Sequence, residues 1–236
     1  MMDRSRIPFV PWKPADVLWA VAPLVALVVY GLVAGDGGQG RTSAAVTVAA
    51  IVLQGVLFLA IAAGFSIVKY KARIGDLGLR RPSFPRAYAY ALKAWVVAFG
   101  VVFLYSFVVT QFEISFLKPP DTADELIDNT GGFAIAWVLA GLWAPLTEEV
   151  FFRGFVLPGL VHKYGVGIGV VMASGVFALA HVQPGTVGAV VPTLALGVAL
   201  AMVYVRSGSV LPGIFIHALH NTVAILLARY AGSLNV

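Results

Sequence analysis

At residues 147–154 the chain reads Thr-Glu-Glu-Val-Phe-Phe-Arg-Gly, which places two carboxylates and a guanidinium inside an otherwise apolar segment. A charged side chain at the centre of a bilayer costs about 2.5–3.5 kcal/mol on insertion scales. Charges this close together therefore predict a cluster that is paired, faces a hydrated cavity, or takes part in chemistry, rather than a surface that faces lipid.

The composition predicts a membrane protein. Of the 236 residues, 60% are hydrophobic and 11% are charged, whereas soluble domains carry about 25% charged residues. Continuous apolar runs, without the alternation of barrel strands, favour helices. We therefore expect an all-α, polytopic transmembrane bundle of about seven to eight spans. Seven apolar segments come near the length that a spanning helix needs, and they are residues 15–34, 44–68, 87–110, 132–157, 166–182, 186–205 and 209–229.

The distribution of charge predicts the orientation in the membrane. Basic residues cluster before the first segment and between the second and third: Arg4, Arg6, Lys13, Lys69, Lys71, Arg73, Arg80, Arg81 and Arg86. The connection at 111–131 is instead acidic, with Glu113, Asp121, Asp124, Glu125 and Asp128. Because cytoplasmic loops are rich in Lys and Arg, we expect an integral protein of the bacterial plasma membrane with a cytoplasmic N-terminus. The net charge of +5 then reflects topology, and no nucleic-acid partner is expected.

The chain reads as one integral-membrane domain over residues 1–236. Residues 1–131 are interpreted as scaffold spans because their apolar segments hold almost no ionisable side chains. Residues 132–236 carry the intramembrane polar groups and form the expected functional core. The chain has no cysteine, which excludes disulfides, cysteine-ligated zinc and a thiol nucleophile.

The acidic pair divides into two roles on a helix. Glu149 and Arg153 are four residues apart and share a face, so we expect an ion pair between them. Glu148 is rotated away from that pair and is the candidate general base. A purely structural salt bridge is the alternative for Glu149 and Arg153, although it leaves Glu148 unexplained. Pro145 precedes the pair and predicts a kink or break that widens the local packing.

Two later segments add imidazoles and an amide. Phe177 and His181 are four residues apart, as are His217 and Asn221, so each pair shares a helix face. His217 and Asn221 are candidates to stabilise the oxyanion of a tetrahedral intermediate. The alternatives are a packing role for His181 and interhelical hydrogen bonds for the other two residues.

These side chains suit the hydrolysis of a peptide bond by an activated water. Glu148 would take the proton from the water, and His181 would help to position it. In a second version, a divalent metal such as zinc, held by Glu148, His181 and His217, would activate the water. The helical His-Glu-x-x-His zinc motif is absent, so spacing alone does not choose between the two versions.

The ordered set of motifs resembles the CAAX protease and bacteriocin-processing family, also called the Abi family of intramembrane proteases. The family pattern Glu-Glu-x-x-x-Arg, Phe-x-x-x-His and His-x-x-x-Asn corresponds here to Glu148-Glu149 with Arg153, Phe177 with His181, and His217 with Asn221. The stretch Asp76-Leu77-Gly78-Leu79-Arg80-Arg81-Pro82 is also similar to a loop of bacterial members.

This resemblance implies an all-helical membrane endopeptidase related to the type II CAAX prenyl endopeptidase. It also implies contact with membrane lipid and a peptide or protein substrate, which is lipidated in the prenyl-processing branch. Family members are described both as metalloproteases and as metal-independent glutamate proteases.

Three other functions compete with the protease. A non-catalytic immunity or assembly factor would use the same polar cavity for binding. A proton-coupled transporter would use intramembrane Glu and His as a relay, although the chain shows no inverted repeat of the kind many transporters have. Haem held between His181 and His217 is the most remote alternative.

Overall fold

The structure is a computed structural model that describes residues 6–34, 43–118, 130–182 and 187–231. Several charged residues used for the expected topology lie outside the described residues, namely Arg4, Asp121, Asp124, Glu125 and Asp128. The main helices of the described chain, labelled in order, are α1 (Pro14–Ala34), α2 (Ala44–Lys69), α3 (Ala87–Gln111), α4 (130–156), α5 (Leu157–Leu179), α6 (Val190–Ser207) and α7 (Leu211–Ala231). Short 3-10 helices, Ile74–Leu77 and Ser115–Leu117, flank α3.

Five helical stretches among the described residues are long and apolar enough to cross a membrane, judged by length and composition. They are Ala44–Lys69, Ala87–Gln111, Gly131–Leu179, Val190–Ser207 and Leu211–Tyr230. Helix α1 contributes a shorter apolar stretch, Pro14–Tyr30. The expected all-α architecture with several membrane spans is thus confirmed, whereas the structure does not confirm a count of seven to eight.

Local sequence accounts for several helix ends. Pro14 opens α1, where a proline lacks only a donor that would be unpaired anyway. Ser43 precedes α2 and its hydroxyl accepts a hydrogen bond from the Val46 amide. Gly208 ends α6 with φ 64°, the left-handed conformation that favours glycine at this position.

The stretch Gly131–Leu179 is 49 residues long but is interrupted at Gly165, whose φ of 85° and ψ of 166° are not helical. A residue with a Cβ rarely adopts this backbone conformation, so glycine makes the break possible. The interruption separates a longer arm that holds the acidic pair from a shorter arm that leads to His181.

Two π-helical segments lie in α4, at Trp137–Trp143 and Glu149–Val156. Each ends two residues before a proline, Pro145 or Pro158. Proline lacks an amide donor and its ring clashes with the carbonyl four residues earlier. The preceding turn therefore widens, and single-turn π segments are a known way for a helix to absorb such a disruption. The expected disturbance at Pro145 is thus a widening rather than a chain break.

Helix α4 lies at the centre of the packing. It contacts α2, α5 and α7, while α5 packs on α6 and α1, and α3 packs on α6 and α7. Its second π segment is buried along its whole length. Phe151 and Phe58 stack with ring centroids 4.7 Å apart, and Phe152 contacts the edge of Phe177 at 5.1 Å. This aromatic layer fixes the backbone that carries the acidic pair.

Candidate active site

The expected ion pair is present in the buried π segment. Arg153 Nη1 donates to Glu149 Oε1 over 2.8 Å, and Nη2 donates to the carbonyl of Gly197 on α6 over 3.2 Å. Both side chains are at most 2% exposed. An isolated charge would be strongly unfavourable here, so the pair is stable only as a unit.

His217 on α7 joins this pair. Its Nδ1 lies 3.1 Å from the same Oε1 atom of Glu149. The carboxylate paired with Arg153 accepts hydrogen bonds, so Nδ1 is assigned the proton. In the neutral ring, Nε2 then carries a lone pair. That atom lies 3.8 Å from Glu148 Oε2.

His181, just beyond the end of α5, also lies close to Glu148. Its Nδ1 lies 2.8 Å from the backbone carbonyl of Phe177, which can only accept, so Nδ1 is again assigned the proton. Its Nε2 lies 3.9 Å from Glu148 Oε2. Two imidazole lone pairs thus face one carboxylate oxygen, at distances beyond a direct hydrogen bond.

The ring of Phe177 contacts Arg153 and both histidines. Arg153 Cζ lies 4.2 Å from its centroid, within the range of a cation–π interaction. The ring centroids of His181 and His217 lie 4.6 Å and 5.8 Å away. Glu148 is not part of this stack, and its Oε2 makes no hydrogen bond to the described residues.

Asn221 is engaged one turn along α7 from His217. Its Nδ2 donates to the carbonyl of Ala140 over 2.7 Å, within the first π segment of α4. This bond uses one of the two amide protons. Asn221 therefore ties α7 to α4, and the structure does not place it in hydrogen-bond contact with Glu148 or His217.

The donor set suits zinc chemically because carboxylate oxygen and imidazole nitrogen are common ligands. However, no group of three or more His, Asp or Glu side chains among the described residues is placed to hold a metal ion. The three side chains expected to bind one, Glu148, His181 and His217, would have to move closer together. We therefore derive no step through a metal.

Two residues that support the site were not predicted from the sequence. Gly213 on α7 leaves room for Glu149, because a Cβ there would lie 2.7 Å from Oε2. Gly197 supplies the carbonyl that binds Arg153. Neither glycine has a motif signal in a single sequence. Pro158 could have been used to predict the π segment under the acidic pair.

Comparison with known families matches residues 130–223 to the model described as type II CAAX prenyl endopeptidase Rce1-like. No curated protein and no solved structure matches the chain. The matched segment contains all three motifs, so the resemblance inferred from them is confirmed. It supports a CAAX-protease-like intramembrane endopeptidase with a peptide or protein substrate. Over residues 130–223 the chain is thus similar to the family described as Rce1-like type II CAAX prenyl endopeptidases.

Proposed function

We propose that this protein is an intramembrane endopeptidase in which Glu148 activates a water molecule to attack a peptide carbonyl. The observation that carries the proposal is the position of Glu148 Oε2, 3.8 Å and 3.9 Å from the two imidazole Nε2 atoms. All three atoms are hydrogen-bond acceptors in the assigned protonation states, so they cannot bond to one another. A water molecule, which has two protons to donate, is the group that this arrangement suits.

The proposed proton transfers start at Glu148. Its carboxylate removes a proton from the water as oxygen attacks the carbonyl carbon, and the carboxylic acid then protonates the leaving amine. His181 accepts the second water proton in a hydrogen bond and orients the lone pair that attacks. Burial of Glu148, whose side chain is 10% exposed, limits competition from bulk water.

The mechanism also requires hydrogen-bond donors that stabilise the negative charge on the oxyanion. His217 Nε2 would take up the remaining hydroxyl proton of the tetrahedral intermediate and, as the imidazolium, donate a hydrogen bond to the oxyanion. Glu149 behind Nδ1 would balance that positive charge, and the proton would leave to bulk water when the carboxylate product departs. Asn221 would contribute its remaining amide proton, held in place by the bond to Ala140. Glu149 and Arg153 position His217 in this scheme and do not contact substrate.

The metal-dependent version remains the alternative mechanism, with Glu148, His181 and His217 as the ligands. Those residues would have to move closer together to hold the ion, which would supply Lewis-acid chemistry if bound. We further propose that the substrate is lipidated and that the N-terminus lies in the cytoplasm. We also propose seven membrane segments, since α1 adds a short apolar helix to five candidate spans and Gly165 divides one of them in two.

The test replaces Glu148 by Gln, which keeps the size of the side chain and removes the base. We expect loss of cleavage by at least about a hundredfold, since a general base contributes about 10²–10⁴ in rate. Membrane peptidomes of cells that carry the wild-type protein and the E148Q variant give the readout. Glu113→Gln, outside the cluster, is the matched control. Full cleavage by folded E148Q would contradict the proposal, and an unchanged biological phenotype with no cleavage would favour an immunity or assembly factor.

A further inference from the structure

The loop between α2 and α3 contains residues 76–82, Asp-Leu-Gly-Leu-Arg-Arg-Pro, which no step of the proposed chemistry uses. This loop is bonded to the turn between α6 and α7. Arg80 Nε donates to the carbonyl of Gly208 over 2.8 Å, and the hydroxyl of Ser209 donates to the carbonyl of Arg80. The loop and the turn that precedes α7 therefore form one hydrogen-bonded unit.

Two adjacent residues of this loop contact the helices on which the site is built. The amide of Val210, the residue before α7, donates to the carbonyl of Gly78 over 3.0 Å. The carbonyl oxygen of Leu77 packs directly on Gly154 of α4, where a Cβ would collide with it. The dipeptide Leu77-Gly78, which we call the clamp, thus touches both α4 and α7 through its backbone.

The glycines at these contacts leave the clamp little freedom to adjust. Gly78 has a φ of 76°, a left-handed conformation that residues with a Cβ rarely adopt, and a Cβ there would lie 2.7 Å from the ring of Tyr204. Gly154 belongs to the second π segment and allows the close approach of the Leu77 carbonyl. The side chain of Leu77 is buried in the hydrophobic core, which fixes the clamp from its other side.

The clamp is the first of a series of contacts between α4 and α7. Moving away from it along both helices, the next contact joins His217 Nδ1 to Glu149 Oε1 over 3.1 Å. The one after that joins Asn221 Nδ2 to the carbonyl of Ala140 over 2.7 Å. His217 and Glu149 each lie within about two helical turns of the clamp contact on their own helix. A shift of α7 along its axis at the clamp would therefore carry His217 past Glu149.

We propose that the clamp is a positioning element of the site, which sets the depth of α7 against α4 and so aligns His217 with Glu149 and Glu148. A misplacement of about 1 Å in such an alignment can lower a rate by about a hundredfold. The clamp residues act through His217 and do not contact substrate. The effect on rate rests on the proposed peptidase function, whereas the effect on the register of the two helices does not.

Alanine substitutions at four glycines give the kinetic test. Gly78→Ala and Gly154→Ala should lower kcat by at least about tenfold and leave KM within about twofold, because a displaced α7 impairs the chemical step rather than substrate binding. Gly75→Ala in the same loop and Gly167→Ala in α5 are the matched controls. No described atom lies within 4 Å of a Cβ at either control position, so both should keep the wild-type kcat.

A cross-link measures the helix register without catalysis. The chain has no cysteine, and a Cβ at Gly141 of α4 would lie 3.4 Å from Oγ1 of Thr222 on α7. Gly141→Cys together with Thr222→Cys therefore places two thiols within reach of a disulfide, whose geometry is specific. Adding Gly78→Ala or Gly154→Ala to this pair should slow oxidative cross-linking by at least about tenfold, in the active and the E148Q backgrounds alike. Gly75→Ala should leave the rate unchanged.

The closed disulfide also provides a rescue. It holds α7 on α4 whatever residue occupies the clamp, so the oxidised Gly78→Ala protein should approach the kcat of the oxidised parent pair. If the alanine variants fail to fold, Arg80→Lys loosens the same loop more mildly, since lysine has no Nε–H to donate to Gly208, and the same results are expected. Cross-linking of folded variants at the parent rate would overturn the proposal, as would a loss of kcat that the disulfide does not restore.

The two measurements separate this inference from the proposed function. Wild-type protein that cleaves no peptide, combined with slow cross-linking of the clamp variants, would overturn the peptidase and leave the clamp as the element that sets helix register. An active peptidase whose folded Gly78→Ala and Gly154→Ala variants keep both the kcat and the cross-linking rate of the wild type would overturn the clamp and leave the peptidase.

Discussion

Arg153 lies over the face of Phe177, with the guanidinium carbon 4.2 Å from the ring centroid. The same ring contacts His181 and His217, so one aromatic side chain connects the buried ion pair with both imidazoles. This contact links α4, α5 and α7 through groups that do not themselves react. The alignment of the site thus depends on packing as much as on hydrogen bonds.

Replacing Phe177 by Leu should lower kcat/KM by about tenfold or more. A buried cation–π contact is worth about 2 kcal/mol, and about 1.4 kcal/mol in barrier height corresponds to a tenfold change in rate. Phe151→Leu is the matched control, because Phe151, in the second π segment of α4, is as fully buried as Phe177 but stacks on Phe58. Thermal unfolding in detergent should show similar destabilisation of the two variants. Equal losses of activity would mean that Phe177 acts only through stability.

Replacing Glu149 by Gln should destabilise the protein by about 3–5 kcal/mol, because Arg153 would remain buried without its counterion. The double variant Glu149→Gln, Arg153→Met should recover much of that stability, since neither charge remains. Activity should stay low in the double variant because His217 Nδ1 has lost its carboxylate. Denaturation midpoints and cleavage rates, measured on the same preparations, separate these two effects. Recovery of activity together with stability would show that Glu149 has no role in positioning His217.

The sequence was sufficient to predict the helical segments but not the geometry within them. Segments expected at 44–68 and 87–110 agree with Ala44–Lys69 and Ala87–Gln111 because continuous apolar runs have few alternatives in a membrane. The ion pair of Glu149 and Arg153 followed from helical spacing alone.

Contacts between distant segments could not be read from spacing. The carbonyl of Ala140 that binds Asn221 is 81 residues away, and any carbonyl on a facing helix would have been an equal candidate. The hydrogen bond between His217 and Glu149 could not be predicted either. It depends on the depth of α7 relative to α4, and that depth is set by the packing around both π segments. The catalytic roles of these residues stay predictions.

Adding a methyl group at Gly213 should disturb the site, whereas adding one at Gly175 should not. A Cβ at position 213 would lie 2.7 Å from Glu149 Oε2, and that carboxylate cannot shift without losing Arg153 or His217. Nothing lies within 4 Å of the corresponding position at Gly175 in α5. Gly175→Ala should therefore raise stability by about 0.5–1 kcal/mol through the lower entropy of the unfolded chain. Cleavage by Gly213→Ala at the wild-type rate would contradict the tight packing around Glu149.

Chelation should leave the activity of the purified protein largely unchanged. The reason is the spacing of Glu148, His181 and His217, which places no metal-binding group of three in the described chain. Cleavage is measured after dialysis against EDTA and against 1,10-phenanthroline, followed by addition of zinc. A loss that zinc reverses, together with stoichiometric metal in the active preparation, would establish the metal-dependent mechanism instead.

Asn221→Asp tests whether the amide serves the oxyanion or only the packing of α7 on α4. Both roles need a donor, and a carboxylate at this position would face the carbonyl of Ala140 without a proton to share. We expect lower thermal stability and, in addition, a fall in kcat of about a hundredfold, the size of effect seen when one oxyanion donor is removed. Trp137 and Thr222 offer a control, because Trp137 Nε1 donates to Thr222 Oγ1 between the same two helices. Thr222→Val removes that acceptor and should lower stability while kcat stays close to wild type. Equal kcat values for the two variants, at equal loss of stability, would assign Asn221 to helix packing alone.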